Sequence, residues 1–149
     1  MERIDKIIIH CSATPEGREV STDTIKRWHV NENGWRDIGY HYVIELDGSI
    51  VKGRKDNEQG AHTSSHNRNS LGICYVGGLG EYSRKSKDTR TPEQIKSLKK
   101  LLDILLVQHP YAEIAGHNQF SNKMCPSFDV PEWCISQEIN QNNIYYANT

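Results

Sequence analysis

The chain has 149 residues and a mass of 17.1 kDa, room for one hydrophobic core and no separate binding module. Lys and Arg number 18 against 19 Asp and Glu, a formal charge of −1 that excludes the clustered positive charge on which nucleic-acid and anionic-membrane binders depend. Hydrophobic residues make up 36% and mean hydropathy is −0.71, yet Leu, Ile, Val, Trp and Tyr recur in periodic clusters that disordered chains lack, so the domain should fold.

Residues 4–10 read as a short buried strand that ends at His10, with three consecutive isoleucines after a charged start. That apolar run is too short for a secretory signal, and none in the chain nears the about 18 residues of a membrane helix, so synthesis is expected to end in the cytoplasm. Ser21 or Thr22 caps a helix carrying Ile25, Trp28 and His29 on one side, and Asn33-Gly34 stops it. Residues 40–46 and 49–52 form a hairpin about Asp47-Gly48, a dipeptide suited to a type I′ turn. Residues 71–76 make another apolar strand, and Gly77-Gly78-Leu79-Gly80, with no helix start behind it, reads as a loop.

Thr91-Pro92-Glu93-Gln94 is a capping box with Pro at the first helical position. Ile95, Leu98, Leu101, Leu102, Leu105 and Leu106 then recur at helical spacing, which lays the helix on a sheet with Lys96, Lys99 and Lys100 outward, until Pro110 ends it. Residues 113–115 read as one more strand, 116–127 as an irregular loop, 129–140 as a last helix and 141–149 as a frayed tail. Strands separated by helices predict a single α/β domain over 1–149, its core about 6–140, with a central mixed sheet flanked by helices.

Seven histidines and four cysteines carry the candidate chemistry. His10 and His117 both sit at strand ends, where α/β sheets place their sites, and Cys125 follows His117 by eight residues in a loop able to fold back. Two His and one Cys make a three-ligand set for a catalytic zinc with its fourth position open to water. Spacing alone leaves two other readings open. In one, His10 is a buried histidine, Cys125 a core thiol and His117 a turn residue; in the other, Cys125 is a nucleophile with His117 as its base. The cysteines lie at wide, irregular spacings, so reduced thiols are expected.

Ile7-Ile8-Ile9-His10-Cys11-Ser12-Ala13-Thr14 resembles the opening of the zinc-dependent type 2 N-acetylmuramoyl-L-alanine amidases, the family of phage lysis amidases and peptidoglycan recognition proteins. Gly34-Trp35-Arg36-Asp37-Ile38-Gly39-Tyr40-His41-Tyr42, Gly60-Ala61-His62 before Asn69-Ser70-Leu71-Gly72-Ile73, and Gly116-His117 leading to Lys123-Met124-Cys125-Pro126-Ser127-Phe128 agree in order and approximate spacing. The resemblance spans about residues 6–133 and is nearest to the small phage amidases called lysozymes. It implies that His10, His117 and Cys125 hold one zinc ion, with Cys125 where many relatives carry Asp. It also implies active-site roles for Tyr40 and Lys123, and for His62 a contact to sugar or stem peptide beside the cleft.

The resemblance further implies hydrolysis of the amide between N-acetylmuramic acid and L-alanine in peptidoglycan, whose competitor is a non-catalytic binding module of the same fold. A substrate outside the membrane and a chain without an export signal fit a phage or prophage lysis enzyme acting beside a separate pore-forming protein, and a signal-independent secretion route, as for an antibacterial effector, would leave the same trace. Some small phage amidases also bind an RNA polymerase, a regulatory role on which this sequence is silent. Of the remaining residues, His29 reads as structural, His41 faces away from Tyr40, and His66 and His109 lie at the surface. Cys11, Cys74 and Cys134 read as small buried apolar groups, Cys11 pointing away from the metal. Asn69 and Ser70 hold a loop, and Trp35 and Arg36 line the groove.

Overall fold

A computed structural model describes residues 1 and 3–146. Strands β1 (Lys6–Cys11), β3 (Tyr42–Ile44), β5 (Ser70–Tyr75) and β7 (Glu113–Gly116) run parallel, and β4 (Ile50–Lys52) pairs antiparallel with β3 at one edge. The order is β4-β3-β5-β1-β7, the mixed sheet expected. Because alternate strand residues face opposite sides, Ile7, Ile9, Leu71, Ile73 and Tyr75 enter one core together. There they meet Leu98, Leu101, Leu102 and Leu105 of helix α2 (Pro92–Gln108) and Val130 and Cys134 of α3 (Val130–Ser136). Each such Leu or Ile, buried in full, contributes about 1.5–3 kcal/mol. The other face of β1 and β5 carries Ile8, His10, Ser70, Gly72 and Cys74. Beside it, Val20, Ile25, Ile38, Val43 and Val76 form a second, smaller cluster with helix α1 (Thr22–Arg27).

The caps behave as their chemistry dictates. Ser21 accepts a hydrogen bond from the Thr24 amide, and the Thr91–Gln94 capping box closes on itself. After α1 the chain widens into a π-helical turn, Trp28–Glu32, and stops at Gly34, whose φ of +72° suits glycine.

Several expectations are corrected. At the hairpin Gly48 has φ +90° while Asp47 is not in the left-handed region, and the Gly48 amide donates to Glu45 O. The turn is therefore type I closed by a left-handed glycine, not type I′. The glycine cluster is not simply loop: β6 (Gly78–Leu79) pairs with β2 (Thr14–Pro15) in a small separate sheet. The last helix ends at Ser136, four residues early, and Glu138 turns left-handed with φ +59°. Nor does the tail fray where it is described. Gln141–Asn143 form a 3-10 turn, Ile144 is buried and bridges Ile114, and the Tyr145 amide donates to Ile114 O, so the tail covers the outer edge of β7. Residues 147–149 of that expectation lie outside the described residues.

Candidate metal centre

Strand β1 delivers His10 at its carboxyl end, and β7 breaks at Gly116 so that His117 opens a 3-10 turn beside it. The loop after that turn folds back and sets Cys125 against β1, where the Cys11 amide donates to Sγ at 3.1 Å. One ligand atom from each of His10, His117 and Cys125 lies within 4.8 Å of the others, and Cys125 Sγ is 3.9 Å from His10 Nδ1. Tetrahedral zinc would hold such an N,S pair about 3.6 Å apart, a few tenths of an ångström closer. Two imidazoles and a thiol are also the donor types that zinc prefers, so these residues fit the ion.

A groove of about 360 Å³ opens over the centre, lined by Trp35, His62, Thr63, Asn67, His117, Phe120 and Lys123 among others. The larger cavity, about 760 Å³, is lined by Asn118, Met124, Phe128 and Tyr146 among others and contains none of the candidate residues. The smaller groove is the one with chemistry in it. The Tyr40 ring lies 5.2 Å from the His10 ring, and Lys123 is near enough for its cation to depress both His10 and His117. Arg36 turns aside to Glu58, 2.7 Å away.

The electrostatics follow from burial. Desolvation holds His10 well below the usual imidazole range, with His62, His117 and Lys123 adding to the effect; it also lowers His117 and brings His62 to about 3. All three are therefore neutral at pH 7, the form that offers a lone pair. Tyr40 is pushed far up, again chiefly by burial, and stays a phenol able to donate.

Cys11 is buried as expected but is not remote from the centre. Its hydrogen bond with the Cys125 side chain draws it down to about 7, and the same bond together with burial pushes Cys125 up. With a divalent cation held at Cys125 that order would reverse, because the charge and the Cys11 amide would both favour thiolate there.

The other histidines divide as their partners require. His41 is a fully buried structural group, accepting from the Gly72 amide and bonded to Glu58 O. His29 accepts from the Gly39 amide, and exposed His66 stacks on Phe120. His62 borders the groove, but Nδ1 faces His10 Nε2 at 3.0 Å and Nε2 faces Ser70 Oγ at 3.2 Å. Sequence reasoning missed Thr63, whose Oγ1 lies 3.2 Å from His10 Nε2, and Asn67, whose Oδ1 accepts from the His62 and Thr63 amides. Only adjacency to His62 hinted at Thr63, and no motif marked Asn67.

Known proteins share this arrangement of elements. The family model for N-acetylmuramoyl-L-alanine amidase matches residues 1–128. The endolysin of Escherichia phage T7 is 38% identical over 138 residues, covering 93% of this chain and 90% of that protein. Peptidoglycan-recognition protein SC2 of Drosophila melanogaster is 33% identical over 109 residues, 71% of this chain and 56% of that one. Among solved structures, the N-acetylmuramoyl-L-alanine amidase LysC from Clostridium intestinale superposes with a TM-score of 0.77 at 26% identity, over 93% of this chain and 87% of that one. With a match that runs from the first strand through the Cys125 loop, and with endolysins aligned over nearly their full length, the chain belongs to the N-acetylmuramoyl-L-alanine amidase family.

Proposed function

We propose that the chain hydrolyses the amide between the lactyl group of N-acetylmuramic acid and L-alanine in bacterial peptidoglycan, using one zinc ion held by His10, His117 and Cys125. The observation that carries this reading is the convergence of two imidazoles and a thiol, His10 from the first strand and His117 and Cys125 from a loop more than a hundred residues later, beside a groove that His117 lines. A bound zinc supplies Lewis-acid activation of a water, whose pKa falls to about 7, and of the scissile carbonyl.

The side chains meet the remaining needs of amide hydrolysis, which are a charge partner for the tetrahedral oxyanion and a proton for the leaving amine. Lys123 brings a cation to the groove beside His117 and would hold the oxyanion. Tyr40, kept protonated by burial, would donate its phenolic hydrogen bond to the attacking water or the oxyanion and assist proton transfer. His62, which lines the groove with both nitrogens engaged, would meet sugar or stem peptide through its ring face. Relatives named endolysin support a lysis role; the enzyme would then reach the wall through a lesion made by a separate pore-forming protein.

The test is zinc content per chain together with stem-peptide release from purified peptidoglycan, for wild type and Cys125→Ala. About one zinc per chain, new L-alanine amino termini and loss of both in the variant are expected. Metal bound without cleavage would make the chain a peptidoglycan-binding module. Cleavage that needs Cys125 yet survives complete metal removal would make it a cysteine hydrolase.

A further inference from the structure

Ser70 is buried and its hydroxyl has one proton to give. His66 O lies 2.8 Å from Oγ and Asn67 O 3.1 Å, and carbonyls only accept, so the proton points to them. Oγ is then an acceptor toward His62 Nε2 at 3.2 Å, which places the His62 proton on Nε2 and leaves a lone pair on Nδ1. That lone pair faces His10 Nε2 at 3.0 Å. Two lone pairs at this distance repel, so His10 presents Nε2–H. A neutral imidazole has a single N–H, and His10 Nδ1, the atom 3.9 Å from Cys125 Sγ, is left bare.

We infer that Ser70 and His62 form a hydrogen-bond relay that holds His10 in the Nε2–H tautomer and aims its Nδ1 lone pair at the metal. The reverse order fails at both ends. A His62 that donated from Nδ1 would need a proton from Ser70, whose only proton is engaged, and His10 would then turn an N–H toward the cation. Thr63 fits the forward order, since its hydroxyl, 2.9 Å from His62 Nδ1, can donate there and accept a share of His10 Nε2–H at 3.2 Å. Metal-binding histidines are commonly oriented through their second nitrogen by a carboxylate or carbonyl. Here the acceptor is a neutral imidazole, which orients His10 without adding negative charge behind it. His62 is thus a positioning residue. Its purpose rests on the zinc reading above, whereas the hydrogen-bond order belongs to the chain with or without metal.

Long-range proton–nitrogen correlation spectra of the ¹⁵N-labelled chain in EDTA read the tautomer of His10 directly, and competition with a chromophoric chelator reads zinc affinity. The wild type should show protonated Nε2 at His10. His62→Leu, similar in bulk but without an acceptor, should give mixed tautomers and zinc affinity about 10- to 100-fold weaker. Ser70→Ala should shift both readouts the same way by less. His62→Gln, whose amide oxygen can accept from Nε2–H, should recover most of the affinity; a merely space-filling role predicts that Gln and Leu behave alike, and that result overturns the relay. So does a wild-type His10 protonated on Nδ1, or a folded His62→Leu with unchanged tautomer and affinity. If His62→Leu does not fold, Ser70→Ala and His62→Gln carry the test. A wild type with the expected tautomer that retains no zinc supports the hydrogen-bond order and overturns the zinc reading instead.

Discussion

Gly72→Ala tests how tightly the sheet fits the groove. Gly72 lies mid-strand in β5 opposite Ile8, its amide bonded to His41 Nδ1 at 3.0 Å and its carbonyl to the His41 amide at 2.9 Å, so the backbone has no freedom to retreat. A methyl there would sit 2.6 Å from His62 Cγ, 2.7 Å from Cδ2 and 3.0 Å from Nδ1. Restoring ordinary carbon contact at about 3.5–4 Å requires the ring to move about 1 Å. The ring is held at both nitrogens, so that movement breaks its bonds to His10 and Ser70. Overpacking costs about 1–3 kcal/mol and two buried hydrogen bonds about 1 kcal/mol each, against about 0.5–1 kcal/mol gained by replacing a strand glycine. The net loss is about 2–4 kcal/mol, a fall of about 1–2 M in the urea midpoint. Tryptophan fluorescence during urea unfolding in EDTA measures it. Gly80→Ala is the control, because its methyl closely meets only the hydroxyl of exposed Ser83, which can swing away. If Gly72→Ala unfolds together with that control and keeps wild-type zinc affinity, the packing argument is wrong.

Tyr40→Phe and Lys123→Met should each lower kcat about 10²- to 10³-fold while zinc content stays at the wild-type level; loss of zinc along with activity would assign these residues to the metal site instead. Stability in EDTA should depend on pH through His62, whose folded value of about 3 lies below its ordinary 6.5. The unfolded chain takes the proton first, so this stability is whole above about pH 6.5 and is lost as pH falls toward 3, by about 1.4 kcal/mol per pH unit at most. A stability profile that is flat between pH 6 and pH 4, or unaltered in His62→Gln, would count against it. Thr91→Ala removes an oxygen that accepts from the Gln94 amide at 3.0 Å and donates to Leu46 O at 2.9 Å. It should cost about 1–2 kcal/mol in thermal or urea unfolding and leave zinc affinity unchanged, and an unaltered midpoint would refute the cap's role.

The parts of the fold written in local chemistry were legible from sequence. A capping box, a helical leucine stripe and three isoleucines each specify their element within a few residues, because the forces that form them act over one turn or one strand. What failed were features that depend on partners distant in sequence. Gly78–Leu79 is a strand only because Thr14–Pro15 lies beside it, and residues 141–146 are ordered only because Ile144 finds the free edge of β7. The type I turn at Glu45–Gly48 escaped for a subtler reason, since Asp-Gly suits both a type I′ turn, where both residues turn left-handed, and a type I turn closed by a left-handed glycine, where only Gly48 does.

At the centre, the residue types were legible and the hydrogen-bond order was not. His, His and Cys are donor types that can hold a metal, though spacing alone left other readings open, and what a histidine offers a cation depends on what faces its other nitrogen. That partner is set by parallel register. Pairing Lys6 with Ser70 brings Gly72 opposite Ile8 and Cys74 opposite His10, so the face of β5 beside His10 presents Ser70 and then a bare backbone. The His62 ring rests on that bare stretch, where an added Cβ would collide with it. Gly72 has no chemistry of its own to show in a sequence. It nevertheless decides whether His62 can reach His10 and Ser70 together, and a side chain at that position would separate the imidazole pair on which the orientation of His10 depends.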